Sequence, residues 1–375
     1  MSATDFFAMQ PANKDAWGHK AYDEFIEQFF FTQFLGKGGM SVIDHITELT
    51  KNSKGEAGAW LHCVLDIHGG GIFGDNTAEG RERSLEASWI RANFDQLRNP
   101  LVTKGRLSDQ KSVINARKEF RKKTARWLAE TLEEQAILTA SGIGYGFNTD
   151  GSIRVTPGGQ DPWTDLAYAA DVTPPSAGRH LRWDVPGGGS APSLVDGDTS
   201  QVANTDLPSY GLVAELEAVG AEKRLTPVRI DGEDYLIWLI SKRTMAQLWK
   251  DSDFRQVVVN GETRGSKNPI FRGSKVTMNN IIIKPYLRVY NTKGAAAGSK
   301  WGAGNVDGTR SLLMGQQALG FVDLGAANWE EDTRDFKNRW ALCVDKMCGW
   351  IKPSLKNSHT GTVEDVGVIA VDLAI

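Results

Sequence analysis

Two overlapping glycine motifs are where residue type and spacing in this chain could do chemistry. His68-Gly69-Gly70-Gly71 has the form of an oxyanion-hole loop, whose backbone N–H groups stabilise a tetrahedral intermediate. That reaction needs an activated serine on a GxSxG turn, and the sequence has none: Ser190 sits in Gly188-Gly189-Ser190-Ala191-Pro192, and Ser209 follows a proline. The same glycines, Gly69-Gly70-Gly71-Ile72-Phe73-Gly74, spell GxGxxG, a pyrophosphate cradle when the last glycine enters a helix. Here Asp75-Asn76-Thr77-Ala78-Glu79-Gly80 follows, which is turn composition. A flexible glycine-rich loop tip accounts for both motifs.

Nothing else assembles a catalytic set. The three Gly-Ser-Lys triplets starting at 265, 273 and 298 lack the upstream glycine and following hydroxyl of a phosphate loop. Histidines 19, 45, 62, 68, 180 and 359 are scattered, with no HExxH spacing. Cys63, Cys343 and Cys348 are odd in number and form no CxxC, so free thiols in a reducing compartment are expected. No catalytic residue, cofactor or metal is expected. A serine hydrolase using His68–Gly71 stands as the alternative.

Composition sets wide bounds. A chain of 375 residues has room for two or three domains, and 43 basic against 46 acidic residues argue against wholesale phosphate neutralisation. The 40 glycines imply many turns and close backbone approaches. No basic cluster precedes an early apolar run, and no stretch approaches the ~20 apolar residues of a membrane span, so a soluble intracellular product is expected.

The glycine tip lies between two strand-like runs. Ala59 to Ile67 leads into it, and alternation resumes at Leu85, Ala87 and Trp89, which predicts a long two-stranded excursion. Before it, Tyr22, Phe25, Ile26, Phe29, Phe30 and Phe34 recur at helical spacing between Trp17 and Leu35, forming an aromatic stripe. After it, one long helix is expected from about Asp109 to Ser141, capped by Ser108 and stopped at Gly142, roughly 50 Å long at 1.5 Å per residue. Its basic residues, Arg117, Lys118, Arg121, Lys122, Lys123 and Arg126, precede its acidic ones, Glu130, Glu133 and Glu134. That order reads either as a solvated face or as a plus-then-minus rod meeting a neighbouring subunit.

Residues 142–208 hold seven of the 13 prolines and read as a long irregular insertion or surface excursion. Regular structure resumes with a helix from Tyr210 to Val219, a buried strand Tyr235–Ile240, and a helix from Ser241 through Trp249. Further strands are expected at Asn280–Tyr290, Ser311–Met314, Trp340–Met347 and Val366–Leu373. Strands and helices mix without strict alternation, so the class is α+β.

Ordered blocks from residue 55 to the C-terminus resemble the major capsid proteins of N-four-like podophages and their relatives. They include Gly74-Asp75, Ala78-Glu79-Gly80-Arg81-Glu82, Asp95-Gln96-Leu97-Arg98 and Leu107-Ser108-Asp109-Gln110-Lys111. Ala125-Arg126-Trp127-Leu128-Ala129-Glu130, Asn268-Pro269-Ile270-Phe271, Leu312-Leu313-Met314-Gly315-Gln316-Gln317-Ala318, Trp329-Glu330-Glu331 and Gly349-Trp350-Ile351-Lys352 continue the series.

The resemblance implies a Hong-Kong-97-type capsid fold. It would divide the chain into an N-terminal arm (1–54), an extended loop (55–105) and a peripheral domain (106–224) containing the spine helix 109–141 and the insertion 142–208. An axial domain (225–335) and C-terminal strands returning to the peripheral domain (336–375) complete it. Its function would be the major capsid protein of a tailed double-stranded DNA phage, self-assembling through pentamers and hexamers into an icosahedral head. It would be made in the host cytoplasm and reside in the virion. Expected partners are copies of itself, scaffold, portal and decoration proteins, and packaged DNA bound without sequence specificity; no membrane is involved. Assembly contacts are expected at Phe25, Phe29 and Phe30 on the arm, and at Gly70, Gly71, Asp75 and Arg81 on the loop. Arg117, Arg121, Arg126, Glu130 and Glu134 would supply those of the helix.

Overall fold

The computed structural model describes residues 29–36, 40–47, 58–64, 71–77, 79–81, 86–106, 116–187, 190–230, 232–260, 276–278, 280–356 and 361–375. Two sheets share one long helix, α1 (Ala116–Ser141).

The larger sheet runs Val276–Met278, Ile281–Tyr286, Glu233–Ser241, Gly308–Met314, Val368–Ala374, His180–Asp184 and Ser193–Asp196, with Val228–Ile230 joined beside Glu233–Ser241. Glu233–Ser241 pairs parallel with Ile281–Tyr286, and Val368–Ala374 pairs parallel with His180–Asp184. Gly308–Met314 and Val368–Ala374 are buried at every position. The near-continuous apolar sequence of Val368–Ala374 follows, because both faces of the sheet are covered. Alternate side chains serve different cores: Ile237, Leu239 and Leu312 face the cluster holding Leu132 and Leu138 of α1. Trp238, Ile240 and Leu313 face Leu212, Val213 and Leu216 of helix α2 (Tyr210–Glu222). Two short helices, α3 (Lys242–Leu248, capped by the Ser241 hydroxyl) and α4 (Ser252–Asn260), follow the central strand.

The smaller sheet runs Leu35–Gly36, Ile43–Ile46, Leu319–Asp323, Arg339–Ile351 and Asn328–Arg334, with Asp95–Val102 along the opposite side of Arg339–Ile351. The N-terminal half of α1 lies against it, with the Phe120 and Trp329 rings 5.6 Å apart. Thus α1 underlies both sheets. Among the described residues, no helix is long and apolar enough to cross a membrane.

The helix ends where the sequence requires. Gly142 takes φ +67°, its N–H donates to the Thr139 carbonyl, and the Ile143 N–H donates to Leu138. This is the Schellman arrangement, which needs a residue without a Cβ strain penalty at that point. The expected helix start and its Ser108 cap lie outside the described residues.

Three expectations change. Residues 142–208 are not a surface excursion. They supply two strands to the larger sheet and bury Tyr145, Tyr168, Leu181 and Trp183. Their short 3₁₀ turns and four- or five-residue strands leave no long periodicity to read. The boundary expected at 335/336 falls inside a hairpin, since Asn328–Arg334 pairs directly with Arg339–Ile351. The final strand, Val368–Ala374, joins the larger sheet, apart from Arg339–Ile351.

Candidate assembly surfaces

The expected finger is present. Gly58–Val64 and Glu86–Ala92 pair antiparallel from Gly58↔Ala92 to Val64↔Glu86 and form a sheet of their own. A lone two-stranded ribbon is marginal in water, so it needs a surface to rest on. At its far end Gly71, Asp75 and Arg81 are exposed, as is Phe73. The turn is held by the Asn76 side-chain amide donating to the Phe73 carbonyl at 2.7 Å, with Gly74 at φ +63°. Gly70 and His68 lie outside the described residues. Ser190 is in a different element, on the connection between the strands His180–Asp184 and Ser193–Asp196. Among the described residues, no three His, Cys, Asp or Glu side chains converge as a metal site.

The charge order of α1 resolves into two environments. On the basic half Lys122, Lys123 and Arg126 are exposed and Arg121 is half-buried. The Arg117 side chain lies outside the described residues. Arg126 reaches Glu130 at 2.8 Å, an i,i+4 pair. The acidic half turns inward. Glu133 accepts the Phe30 N–H at 2.6 Å and the Tyr286 hydroxyl at 2.5 Å, while Arg288 lies 3.6 Å away. Burial first, and then the neighbouring Glu133, push the Tyr286 phenol well up. Glu134 holds Arg154 at 2.6 Å and accepts the Thr149 N–H. Glu134, expected at a subunit contact, is therefore engaged within its own chain.

The aromatic arm is corrected in the same sense. Residues 30–34 form a 3₁₀ turn, and Phe29, Phe31 and Phe34 are buried. Phe29 lies 6.4 Å from Trp350, and Phe30 stacks on Tyr286 at 4.0 Å with 20° between planes. Three consecutive phenylalanines pack into this subunit's own core, where a one-sided helical stripe was expected; Phe25 lies outside the described residues.

Sequence reading missed three buried ion pairs that lock these surfaces in place. Arg310 holds Asp372 with Nε at 2.7 Å and Nη2 at 3.0 Å, donates Nη1 to the Ser141 carbonyl at the end of α1, and shares Asp372 with His180 at 2.6 Å. In the smaller sheet Lys346 Nζ donates to Asp323 at 2.7 Å and His45 lies 3.0 Å from the same carboxylate. Burial alone would raise the Asp323 carboxyl, but the His45 hydrogen bond and the Lys346 ammonium hold it down at about 2. Lys352 meets Asp365 at 2.9 Å. For Asp372 the available signal was a single charged residue inside an apolar strand, Val371-Asp372-Leu373; the other pairs carry no such signal. Cys343 and Cys348 are free thiols, and burial pushes Cys348 up to about 12, away from reactivity.

A two-stranded finger and a long helix beneath two sheets make up the frame of the subunit. Residues 10–375 match the family model described as phage capsid protein. The chain belongs to the phage capsid protein family. Within that family, it is 39% identical to the major capsid protein of Pseudomonas phage KPP25, over 99% of this chain and 97% of that one. Its fold is similar to the capsid of Ralstonia phage GP4, with a TM-score of 0.70 at 22% identity over 92% of this chain and 90% of that one. It is also similar to the capsid of cyanophage Pam1, with a TM-score of 0.71 at 14% identity over 93% of each chain. The phage capsid fold here is the α+β Hong-Kong-97 type.

Proposed function

We infer that this chain is the major capsid subunit of a tailed double-stranded DNA phage, and that copies of it tile into the icosahedral head. The observation that carries the reading is the match to a major capsid protein along essentially the whole chain. The architecture supports it: the finger meets its own sheet at its base, where Ala92 packs with Val322 and Ile351, and gains further contact area by lying on a neighbour. Repeated modest contacts then close a shell.

On this reading the arm is the part of residues 1–54 that precedes Leu35–Gly36, and the extended loop is the part of 55–105 that precedes Asp95–Val102, because those strands belong to the smaller sheet. The peripheral part is the smaller sheet with the N-terminal half of α1, and the axial part is the larger sheet. Gly71, Asp75 and Arg81 at the finger tip, with Arg126 and Glu130 on α1, are the retained contact candidates, since all are at least partly open to a neighbour. Pentamers and hexamers would be the intermediates, with scaffold, portal and decoration proteins as partners and packaged DNA held without sequence recognition. The protein works without catalysis, in the virion, after synthesis in the host cytoplasm.

Light scattering and sedimentation of the purified chain test this. Capsomers or closed particles are expected; a stable monomer at every concentration, or serine-dependent ester hydrolysis lost in Ser190→Ala, would reject it.

A further inference from the structure

The hairpin joining Asn328–Arg334 to Arg339–Ile351 has an unusual tip. Its last ladder pair is Arg334↔Arg339, and the turn holds three consecutive non-glycine residues in left-handed conformation: Asp335 at φ 55°, Phe336 at 50° and Lys337 at 67°. L side chains adopt this region rarely, and bulky ones such as phenylalanine least of all. Phe336 is also 105% exposed, so no packing within the subunit compensates.

The tip is nevertheless firmly built. The Asn338 N–H donates to the Asp335 carbonyl at 2.9 Å and its side-chain amide to the Asp335 carboxylate at 3.1 Å. Thr103 and Trp340 exchange hydrogen bonds of 2.8 and 3.0 Å on the adjoining strand. Leu101 and Val102, near the end of that strand, are exposed at 40% and 42%. A rigid frame presenting a bare aromatic, with further exposed apolar residues on the adjoining strand, is how binding anchors are made, because little ordering cost remains at contact.

We propose that Phe336 is an anchor between copies of this chain, buried against a neighbouring subunit when the shell forms. The charges around it favour a second copy. Arg334, Lys337 and Arg339 stand beside Asp332 and Asp335, a rim of both signs that complements itself and suits a single-sign polymer such as DNA poorly. Strain held in an isolated subunit and retained at an interface is typical of sites whose conformation is prepared for a partner.

The proposal rests on the shell-forming reading, and the test separates the two. Wild-type, Phe336→Ala and Lys337→Gly chains are compared for subunit melting temperature and for the critical concentration of particle formation. Phe336→Ala leaves the melting temperature unchanged and raises the critical concentration about 10-fold or more. Lys337→Gly relaxes the turn, raises the melting temperature and still assembles. Phe336→Ala particles forming at the wild-type concentration would overturn the proposal. So would a lowered melting temperature of that variant, or normal shells that lose only a different virion protein. Wild-type chains that never assemble would bring down the shell reading itself, and the anchor with it.

Discussion

Arg310 and Asp372 face each other across adjacent antiparallel strands, in direct register, and the same guanidinium caps the last carbonyl of α1 at Ser141. One side chain thereby fixes the long helix to the centre of the larger sheet. A cation at a helix C-terminus is favoured by the helix dipole, and here it is also bidentate to a fully buried carboxylate.

Asp372→Ala leaves Arg310 charged, buried and without its bidentate partner. A loss of about 3–5 kcal/mol is expected from breaking one side of a buried pair. Chemical denaturation of the unassembled subunit reads it. The double change Arg310→Met with Asp372→Leu is expected to cost clearly less than Asp372→Ala.

Asp323 gives a defined pH dependence. Its folded value, about 2, lies below the ordinary carboxylate value, so its stabilisation is fully present above about pH 4 and is lost as pH falls through about 2. The expected contribution is about 2 kcal/mol. Melting temperatures between pH 5 and pH 2 will show the decline. Asp323→Asn will flatten it while lowering stability at neutral pH, since Lys346 then faces a neutral amide.

Gly142→Ala tests the helix stop. An added Cβ would stand 2.5 Å from the Thr173 carbonyl oxygen and 2.8 Å from the Pro174 Cα, at a φ of +67°. Backbone must move, so the loss exceeds the ~1 kcal/mol of left-handed strain alone. Thermal unfolding of the subunit is the measurement, and an unchanged transition contradicts the account.

The exposed basic face of α1 is expected to act in assembly alone. Reversing Lys122 and Lys123 to Glu, with Arg126 left in its pair with Glu130, changes subunit stability by no more than about 1 kcal/mol, about 0.5 for each surface site. It impairs particle formation in light scattering. Equal particle yields would remove this face from the interface.

The finger, the helix stop and the long central strands were legible because each is bounded by turn residues or carries a long apolar run. Glu233–Ser241 carries such a run from Tyr235 to Ile240, and Val368–Ala374 one interrupted at Asp372. Residues 142–208 were not, since Trp183 and Leu181 sit in a five-residue strand whose partner, Val368–Ala374, is far along the chain. Nor does the order of charges on α1 reveal that Tyr286 arrives from 153 positions away to bind Glu133. The arm misled for a related reason: helical spacing of Phe29, Phe30 and Phe34 also fits a short 3₁₀ turn whose rings fill one core. The buried pairs depend on register between distant strands, which local patterns do not encode.

Electron microscopy of the purified chain under assembling conditions tests the central claim most directly. The account predicts closed shells or capsomers in which density for the Gly58–Val64 and Glu86–Ala92 finger crosses onto an adjacent subunit. Solitary particles, with that ribbon folded against their own sheets at every concentration, would contradict it.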